Sequence, residues 1–298
     1  MAPRNILHML SPQRHISPFD VNMAVDAGFD AVIPYSGVEV GDVRGLVQDA
    51  MFSRPPTSAA RTGFFIGGKN AIQALDMLDA GRAAMFPPFE ISLFADPAGS
   101  FTTAAAMVAR VEKELKTRHG QGWSGRMVSV FGGTGVVGYS AAVIAALEGA
   151  KVTLVGYDGA ERVRKLADAA KARFNVDIAS ADGSSDALKT AALAQADVVL
   201  CAGRAGVEIV GAAHMKGARN LKVVADVNAV PPAGIAGLGA QDDGKPLAGT
   251  AAMGIGPFAI GGIKYGVQFG LLQKMTASDK ALCLDFRDAY RLARELVR

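Results

Sequence analysis

The chain has 298 residues, half of them apolar and a fifth charged, with 31 Lys and Arg against 28 Asp and Glu for a formal net charge of +3. That length favours two domains over one and can bury a sizeable core, while so small a charge, with acids and bases interspersed, excludes the concentrated basic face that nucleic-acid binding needs. The two cysteines, Cys201 and Cys283, lack C-x-x-C spacing, which argues against a disulfide framework or zinc knuckle and fits a reducing cytoplasm.

At the N-terminus, MAPRNILHML has too short an apolar run for a signal peptide. No segment reaches the roughly 18 uninterrupted apolar residues of a membrane span, so a soluble, cytoplasmic protein without membrane partners is expected. The first hundred residues alternate apolar runs with helical patterns. ILHML (6–10), AVIPY (31–35), TGFFIGG (62–68) and ISLFAD (91–96) predict buried strands; Phe19–Ala27, Asp42–Ala50 and Asn70–Ala84 carry apolar residues at helical spacing. Such alternation predicts a mainly parallel sheet covered on both faces. Ser100 predicts the N-cap of a helix over 101–119 that stops at Gly120, a domain connector in form.

A second series of strands is predicted at MVSVF (127–131), KVTLV (151–155), DVVLCAG (197–203) and LKVVADV (221–227). Helices are predicted over 159–174, 257–275 and 286–296, with a Pro- and Gly-rich stretch over 230–249 between the last strand and the long helix. The two long helices read as paired connectors, and the C-terminal one as packing back on the first domain.

Residues 132–138 read GGTGVVG, a Gly-x-Gly-x-x-Gly at Gly133, Gly135 and Gly138. With 35 glycines the spacing arises by chance about 0.5 times, so context decides. A second match, GQGWSG at Gly120, Gly122 and Gly125, has no strand before it and a strand, not a helix, after it; it reads as a linker turn. GTGVVG follows the strand VSVF and opens an alanine-rich helix. There Gly133 suits the tight turn, Gly135 the close approach of a pyrophosphate, and Gly138 the packing of helix on sheet, with the phosphates on the helix N-terminus. After the next strand comes GYDGAERVRK (156–165): Asp158 favours the ribose diol of NAD. Arg162, Arg164 and Lys165 either reach a 2′-phosphate or form a solvated helix face, and dual use of NAD and NADP is the reading.

His8 reads as a core residue and His119 and His214 as solvated; none sits in a metal-ligand pattern, and there is no Gly-x-Ser-x-Gly elbow. A dinucleotide domain without metal or acyl-transfer machinery points to hydride transfer in a cleft between domains. Lys264 is the single charge between Lys245 and Lys274, which favours a position facing that cleft over an exposed place on a connector helix. Asp20 and Asp96 lie at or after strand-like segments, where they either bind a ligand's donor edge or cap a helix. Thr102 and Thr103 open the connector helix, where they either contact ligand or support its N-terminus.

The segments SPFDVNMAVDAGFD (17–30), FADPAGSFTTAAAM (94–107), FGGTGVVG (131–138), ADVNAVPPAGIAG (225–237) and GIGPFAIGGIKY (254–265) together give a more specific signal. On them the chain resembles, over essentially its full length, the NAD(P)-dependent methylene-tetrahydromethanopterin dehydrogenases of methylotrophic bacteria. The resemblance implies an α/β protein with a Rossmann domain (106–275) and a smaller α/β pterin-binding domain (1–105 with 276–298), the cleft between them. It implies oxidation of methylene- to methenyl-tetrahydromethanopterin in formaldehyde oxidation, with NAD or NADP as cofactor and a trimeric or hexameric assembly. Lys264 is the implied catalytic residue. Phe19, Asp20, Asp96, Ser100, Thr102 and Thr103 are the implied substrate residues. The cofactor residues are Gly133, Thr134, Gly135, Val136, Val137, Tyr157, Asp158, Arg162, Ala202, Gly203, Asp226 and Asn228. A strictly NADP-dependent branch has Arg where this chain has Tyr157, which supports NAD here. The chain also resembles, distantly, methylene-tetrahydrofolate dehydrogenase/cyclohydrolases, which leaves a folate dehydrogenase of the same architecture as the alternative. Their Tyr-x-x-x-Lys is absent, since Tyr35 is followed four residues on by Glu39, so no cyclohydrolase activity is expected.

Overall fold

The computed structural model describes residues 3–297. In chain order the elements are β1 (Ile6–Ser11), α1 (Pro18–Asp26), β2 (Ala31–Ser36), α2 (Val40–Phe52), α3 (Pro56–Ala59), β3 (Thr62–Ile66), α4 (Ala71–Ala84), β4 (Ser92–Ala95), α5 (Ser100–His119), β5 (Met127–Phe131) and α6 (Val136–Leu147). There follow β6 (Lys151–Gly156), α7 (Glu161–Phe174), β7 (Ile178–Asp182), α8 (Asp186–Leu193), β8 (Val198–Cys201), α9 (Ala212–Met215) and β9 (Val223–Asp226). The last are β10 (Asp243–Pro246), β11 (Met253–Ile255), α10 (Pro257–Ala277), β12 (Cys283–Leu284) and α11 (Phe286–Leu296). The chain divides into two units, one of residues up to Thr102 with Tyr265–Leu292, the other of Thr103–Lys264 with the residues from Ala293 on. No helix among the described residues is long and apolar enough to cross a membrane.

The first unit is a five-stranded sheet in the order β12-β4-β3-β1-β2, parallel throughout. β3 (TGFFI) and β4 (SLFA) are buried at every residue, as central strands covered on both faces must be; β2 lies at the edge and is half exposed. From β1 the chain first adds β2 on one side, then β3 on the other. The carboxyl ends of β1 and β3 are therefore a topological switch point. Gly63 lets α10 close on the sheet, since a β-carbon there would lie 2.7 Å from the Met275 Cε. Phe286, at the start of α11, meets Phe101 edge-on at 5.2 Å. Along α11, Phe286, Ala289, Tyr290 and Ala293 are buried, an apolar stripe at helical spacing.

The second unit is a seven-stranded sheet in the order β10-β11-β9-β8-β5-β6-β7. Six strands are parallel and β10 runs antiparallel on the edge. Numbered from β5, the parallel strands lie in the order 3-2-1-4-5-6 of a Rossmann sheet. The chain carries more strands than its pattern predicts. β7 (IASAD) is a partly exposed edge without a β-branched run, so its periodicity is weak. β9 is in consequence the fifth strand of this unit, not the fourth. The Pro- and Gly-rich stretch contains β10, whose residues are mostly exposed. On α5, Glu114 binds Arg110 and Arg118, and Arg110 reaches Asp243 on β10 at 2.5 Å. Burial would raise the Glu114 carboxyl, but the hydrogen bonds from Arg118 and Arg110 outweigh it and hold the group below its usual range.

The α5 start differs from expectation. Ser100 is the first helical residue, and the cap comes from Asp96, whose Oδ1 accepts the Phe101 and Thr102 N–H groups at 2.9 and 3.1 Å. His214 is buried, not solvated. Its Nδ1 accepts the Gly211 N–H at 3.0 Å and its Nε2 lies 3.0 Å from Asp186. His119 is exposed and His8 is half-buried, stacked on Phe64 with ring centroids 5.0 Å apart.

Candidate functional site

The strand β5 ends in Phe131 and the chain turns at once into α6. The left-handed conformation of that turn falls on Gly132 (φ +80°), one residue before the Gly133 that the spacing singled out. A β-carbon on Gly132 would lie 2.3 Å from the Ala202 carbonyl oxygen, so only glycine fits. Gly138 is equally constrained, its β-carbon position being 2.4 Å from the Gly132 oxygen. That contact is the close helix–strand approach expected of the third glycine. Gly133 backs onto the Leu154 side chain. Gly135 is the N-cap of α6, exposed, with no atom nearer than 3.3 Å to its β-carbon position.

The first bond back into the helix runs from the Tyr139 N–H to the Gly135 carbonyl at 3.0 Å. The amides of Val136, Val137 and Gly138 therefore have no acceptor one turn back, and with the helix dipole they make an anion-binding end. In front of them is a cavity of about 640 Å³, at the carboxyl ends of β5, β6 and β8. Thr134, Gly135, Tyr157, Ala202 and Gly203 all line it. The open space over Gly135, the free amides and the size of the cavity fit a dinucleotide.

Asp158 and Arg162 form one ion pair at 2.8 Å, and the Tyr157 hydroxyl lies 3.0 Å from the same guanidinium nitrogen. The guanidinium also lies over the Tyr157 ring, 5.6 Å from its centroid. The hydrogen bonds that Arg162 donates to Asp158 and then to Tyr157 raise its pKa. Lys165 pairs instead with Glu161 at 3.0 Å, both side chains in solvent. Of the three cations that follow Asp158, Arg162 is thus the one held beside it.

Asp226 and Asn228 are turned inward. Asp226 Oδ2 accepts the Gly234 N–H at 2.6 Å and Oδ1 the Asn228 N–H at 2.9 Å; the Asn228 side chain bonds the Pro232 carbonyl and the Val230 N–H. Burial raises the Asp226 pKa, against these hydrogen bonds, and pushes up the Cys201 thiol beside it. Together they shape the loop after β9.

In the first unit, a cavity of about 430 Å³ opens at the switch point of the sheet, lined by Ser11 at the end of β1, residues 13–18 after it, Asp20, Phe65 and residues 67–69 at and after β3, and Ala98. Asp20 is buried, with Oδ1 accepting from Gln268 Nε2 at 2.7 Å. Asp96 is buried deeper, its Oδ2 accepting from the Thr102 hydroxyl at 2.7 Å; of the two, Asp20 lines the cavity. Phe19 is exposed on α1, and Ser100 and Thr103 are half-buried on the first turn of α5. Ala98 holds a left-handed conformation (φ 53°) at the rim, a strained geometry of the sort found at ligand sites. Lys264 lies half-buried on α10.

Other residues at these cavities had no signal in the sequence. Lys189 and Arg204 line the cavity in front of α6, and Arg14, His15 and Lys69 line the other. Each is an ordinary polar residue in a loop or helix whose place depends on strand order.

Residues 18–98 match the family model described as methylene-tetrahydromethanopterin dehydrogenase, N-terminal. The chain is 54% identical over 98% of its length to an NAD(P)-dependent methylenetetrahydromethanopterin dehydrogenase of Methylorubrum extorquens, covering 99% of that protein. It is 33% identical to a protein of the same organism named bifunctional protein MdtA, over 94% of each chain. Among solved structures, a quinate dehydrogenase from Corynebacterium glutamicum in complex with NAD shares the fold. Its TM-score is 0.55 at 14% identity, covering 97% of this chain and 98% of that one.

Proposed function

The chain belongs to the NAD(P)-dependent methylene-tetrahydromethanopterin dehydrogenase family, and from that premise we propose that it passes hydride from methylene-tetrahydromethanopterin to NAD or NADP. The product is methenyl-tetrahydromethanopterin, in one-carbon (formaldehyde) oxidation. The observation that carries this reading is 54% identity along nearly the whole chain to a dehydrogenase of that name. The glycine-built anion end of α6 supports it.

The nicotinamide cofactor supplies the hydride acceptor when bound. The rest of the chemistry is orientation. The reacting carbon lies between two nitrogens, so loss of hydride gives a cation that those nitrogens stabilise, and no proton leaves. No general base is required, in keeping with the absence of a paired histidine and carboxylate among the residues assigned to the site. Gly135 and the α6 amides would fix the phosphates, while Asp158 and Arg162 would select between a ribose diol and a 2′-phosphate. Asp20 would take the donor edge of the pterin.

Lys264 is assigned a positioning part. An ammonium about 5 Å from a carbon becoming positive repels it by roughly 3 kcal/mol at an effective dielectric near 20. Its use is thus to donate a hydrogen bond to a ring acceptor and hold the ring, because misplacement by about 1 Å costs roughly 100-fold in rate. The family resemblance also carries a cytoplasmic homo-oligomer, trimer or hexamer, which light scattering of the purified protein tests.

A spectrophotometric assay of methylene-tetrahydromethanopterin with each nucleotide, beside methylene-tetrahydrofolate, tests the whole reading. Rapid reduction of NAD and NADP with the methanopterin substrate is expected. Preference for the folate substrate would overturn the substrate assignment.

A further inference from the structure

The polar groups around the cavity of the first unit are sorted by charge. Its one acidic side chain, Asp20, is buried and held by Gln268. Arg14, His15 and Lys69 are all exposed at its lining. Arg14 and Lys69 come from different loops, one after β1 and one after β3, and meet at the same cavity because those strands are neighbours. Neither has an ion pair or side-chain hydrogen bond among the described residues. Where a carboxylate lies close, arginines and lysines pair with it, as Arg61 with Asp279, Arg82 with Asp79, Arg110 with Asp243 and Lys222 with Asp197; at this cavity the one carboxylate is turned to Gln268.

We infer that Arg14 and Lys69 form an anion subsite for the far end of the substrate. The cavity takes a polar-ended ligand in one direction, its hydrogen-bond-donating ring edge toward Asp20 and a carboxylate or phosphate on its side chain toward the rim. This rests on the assignment of the cavity to the pterin. The physical reason for the two residue types is plain. A guanidinium binds an oxyanion in a planar, two-pronged way, and an ammonium follows as a mobile point charge. An anion at the rim of a solvent-exposed cavity stays partly hydrated, so two exposed cations suffice without a buried charge. The same pair raises the local concentration of an anionic substrate and makes its capture dependent on ionic strength.

The test uses the full-length enzyme and the double variant Arg14→Ala/Lys69→Ala, both changes being at exposed side chains. The substrate KM is expected to rise tenfold or more, with kcat within twofold and the nucleotide KM unchanged. The salt dependence of the substrate KM should flatten in the variant. Glutarate and inorganic phosphate, titrated by calorimetry into both proteins without nucleotide, separate a carboxylate from a phosphate as the preferred anion. Binding of either to the wild type and its loss in the variant supports the subsite whether or not the wild type turns over the pterin. Absence of turnover would overturn only the substrate assignment. An unchanged substrate KM in the variant, or no binding of either anion to the wild type, overturns the subsite.

Discussion

Both units are mainly parallel sheets with a cavity at the carboxyl end of a switch point, yet the two cavities differ in what lines them. In the second unit glycine backbone makes up part of the wall, beside side chains that include Tyr157, Lys189 and Arg204. Gly132, Gly135, Gly156 and Gly203 line it, and a β-carbon on Gly132 or Gly156 would lie 2.3 or 2.0 Å from a carbonyl oxygen. In the first unit the lining is mostly side chains from separate segments, with Arg14, His15 and Lys69 from loops and Asp20 from α1 among them. A backbone wall gives fixed donors and, at Gly132 and Gly156, has no room for substitution. A side-chain wall adapts by charge and rotamer, and is sensitive to salt. The division suits a constant partner, a dinucleotide phosphate, on one side and a distinctive ring with a variable tail on the other.

The sharpest way to break this contrast is at Gly132 and Gly135. Gly132→Ala adds a methyl group against the Ala202 carbonyl in a left-handed conformation, which costs about 1–2 kcal/mol for the backbone alone before the clash. Nucleotide binding should vanish and the melting temperature fall. Gly135→Ala is the control, because its φ of −83° is open to any residue and its nearest contact is 3.3 Å. That variant should fold with a cost below about 1 kcal/mol while nucleotide affinity drops at least tenfold. A wild-type nucleotide KM in Gly135→Ala would remove the phosphates from this helix end.

Lys264→Met comes next. It keeps length and apolar bulk and removes the donor. Turnover should fall roughly 100-fold with NAD affinity intact in a fluorescence titration. Near-wild-type turnover at saturating substrate would make Lys264 a spectator on α10.

The same contrast explains what could be read from the chain and what could not. The alternation of strands and helices was legible because each central strand is a local run, as in TGFFI and MVSVF. The glycine turn into α6 was legible because Gly132, Gly133, Gly135 and Gly138 are neighbours in sequence, whereas Gly156 and Gly203 reach the same cavity only through strand order. Spacing alone did not say which glycine turns left-handed, since that depends on how near β8 brings the Ala202 carbonyl to Gly132. It likewise did not separate Ser100 from Asp96 as the cap of α5, because the turn at Ala98 folds the aspartate back over the helix end. β7 and β10 escaped because edge strands need not alternate. Arg14, Lys69 and Lys189 escaped because only strand order brings them to a cavity.

Asp158→Ala tests the side-chain pair beside Tyr157, which lines the cavity in front of α6. Arg162 is bound to Asp158 at 2.8 Å. Removing the carboxylate frees that guanidinium and lifts a charge that opposes a 2′-phosphate. The NADP/NAD ratio of kcat/KM should rise a few-fold to tens-fold, as expected for about 1–2 kcal/mol per charged hydrogen bond. A ratio that does not move would separate the pair from nucleotide choice.

The smallest effects are those of pH on stability, and two carboxylates of the second unit should give opposite signs. Glu114 is held below its usual range by Arg118 and Arg110, which outweigh its burial. Its stabilisation is fully present above the unfolded value of about 4.3 and is lost as pH falls through the folded pKa. Asp226 is raised by burial in spite of the Asn228 and Gly234 N–H groups. Its contribution is fully present below the unfolded value of about 3.9 and is lost as pH rises through the folded pKa. Urea unfolding of Glu114→Gln and Asp226→Asn beside the wild type, at steps from well below the unfolded Glu value of about 4.3 up to neutral, separates the two. The wild-type advantage over Glu114→Gln should shrink on acidification, and that over Asp226→Asn should shrink on approach to neutrality. Each advantage is about 0.5–1.5 kcal/mol at its largest, the net range for a single hydrogen bond. Parallel slopes for the two variants would mean that the loop after β9 does not hold Asp226 in the buried setting described, and that this side chain is as adaptable as those of the first unit.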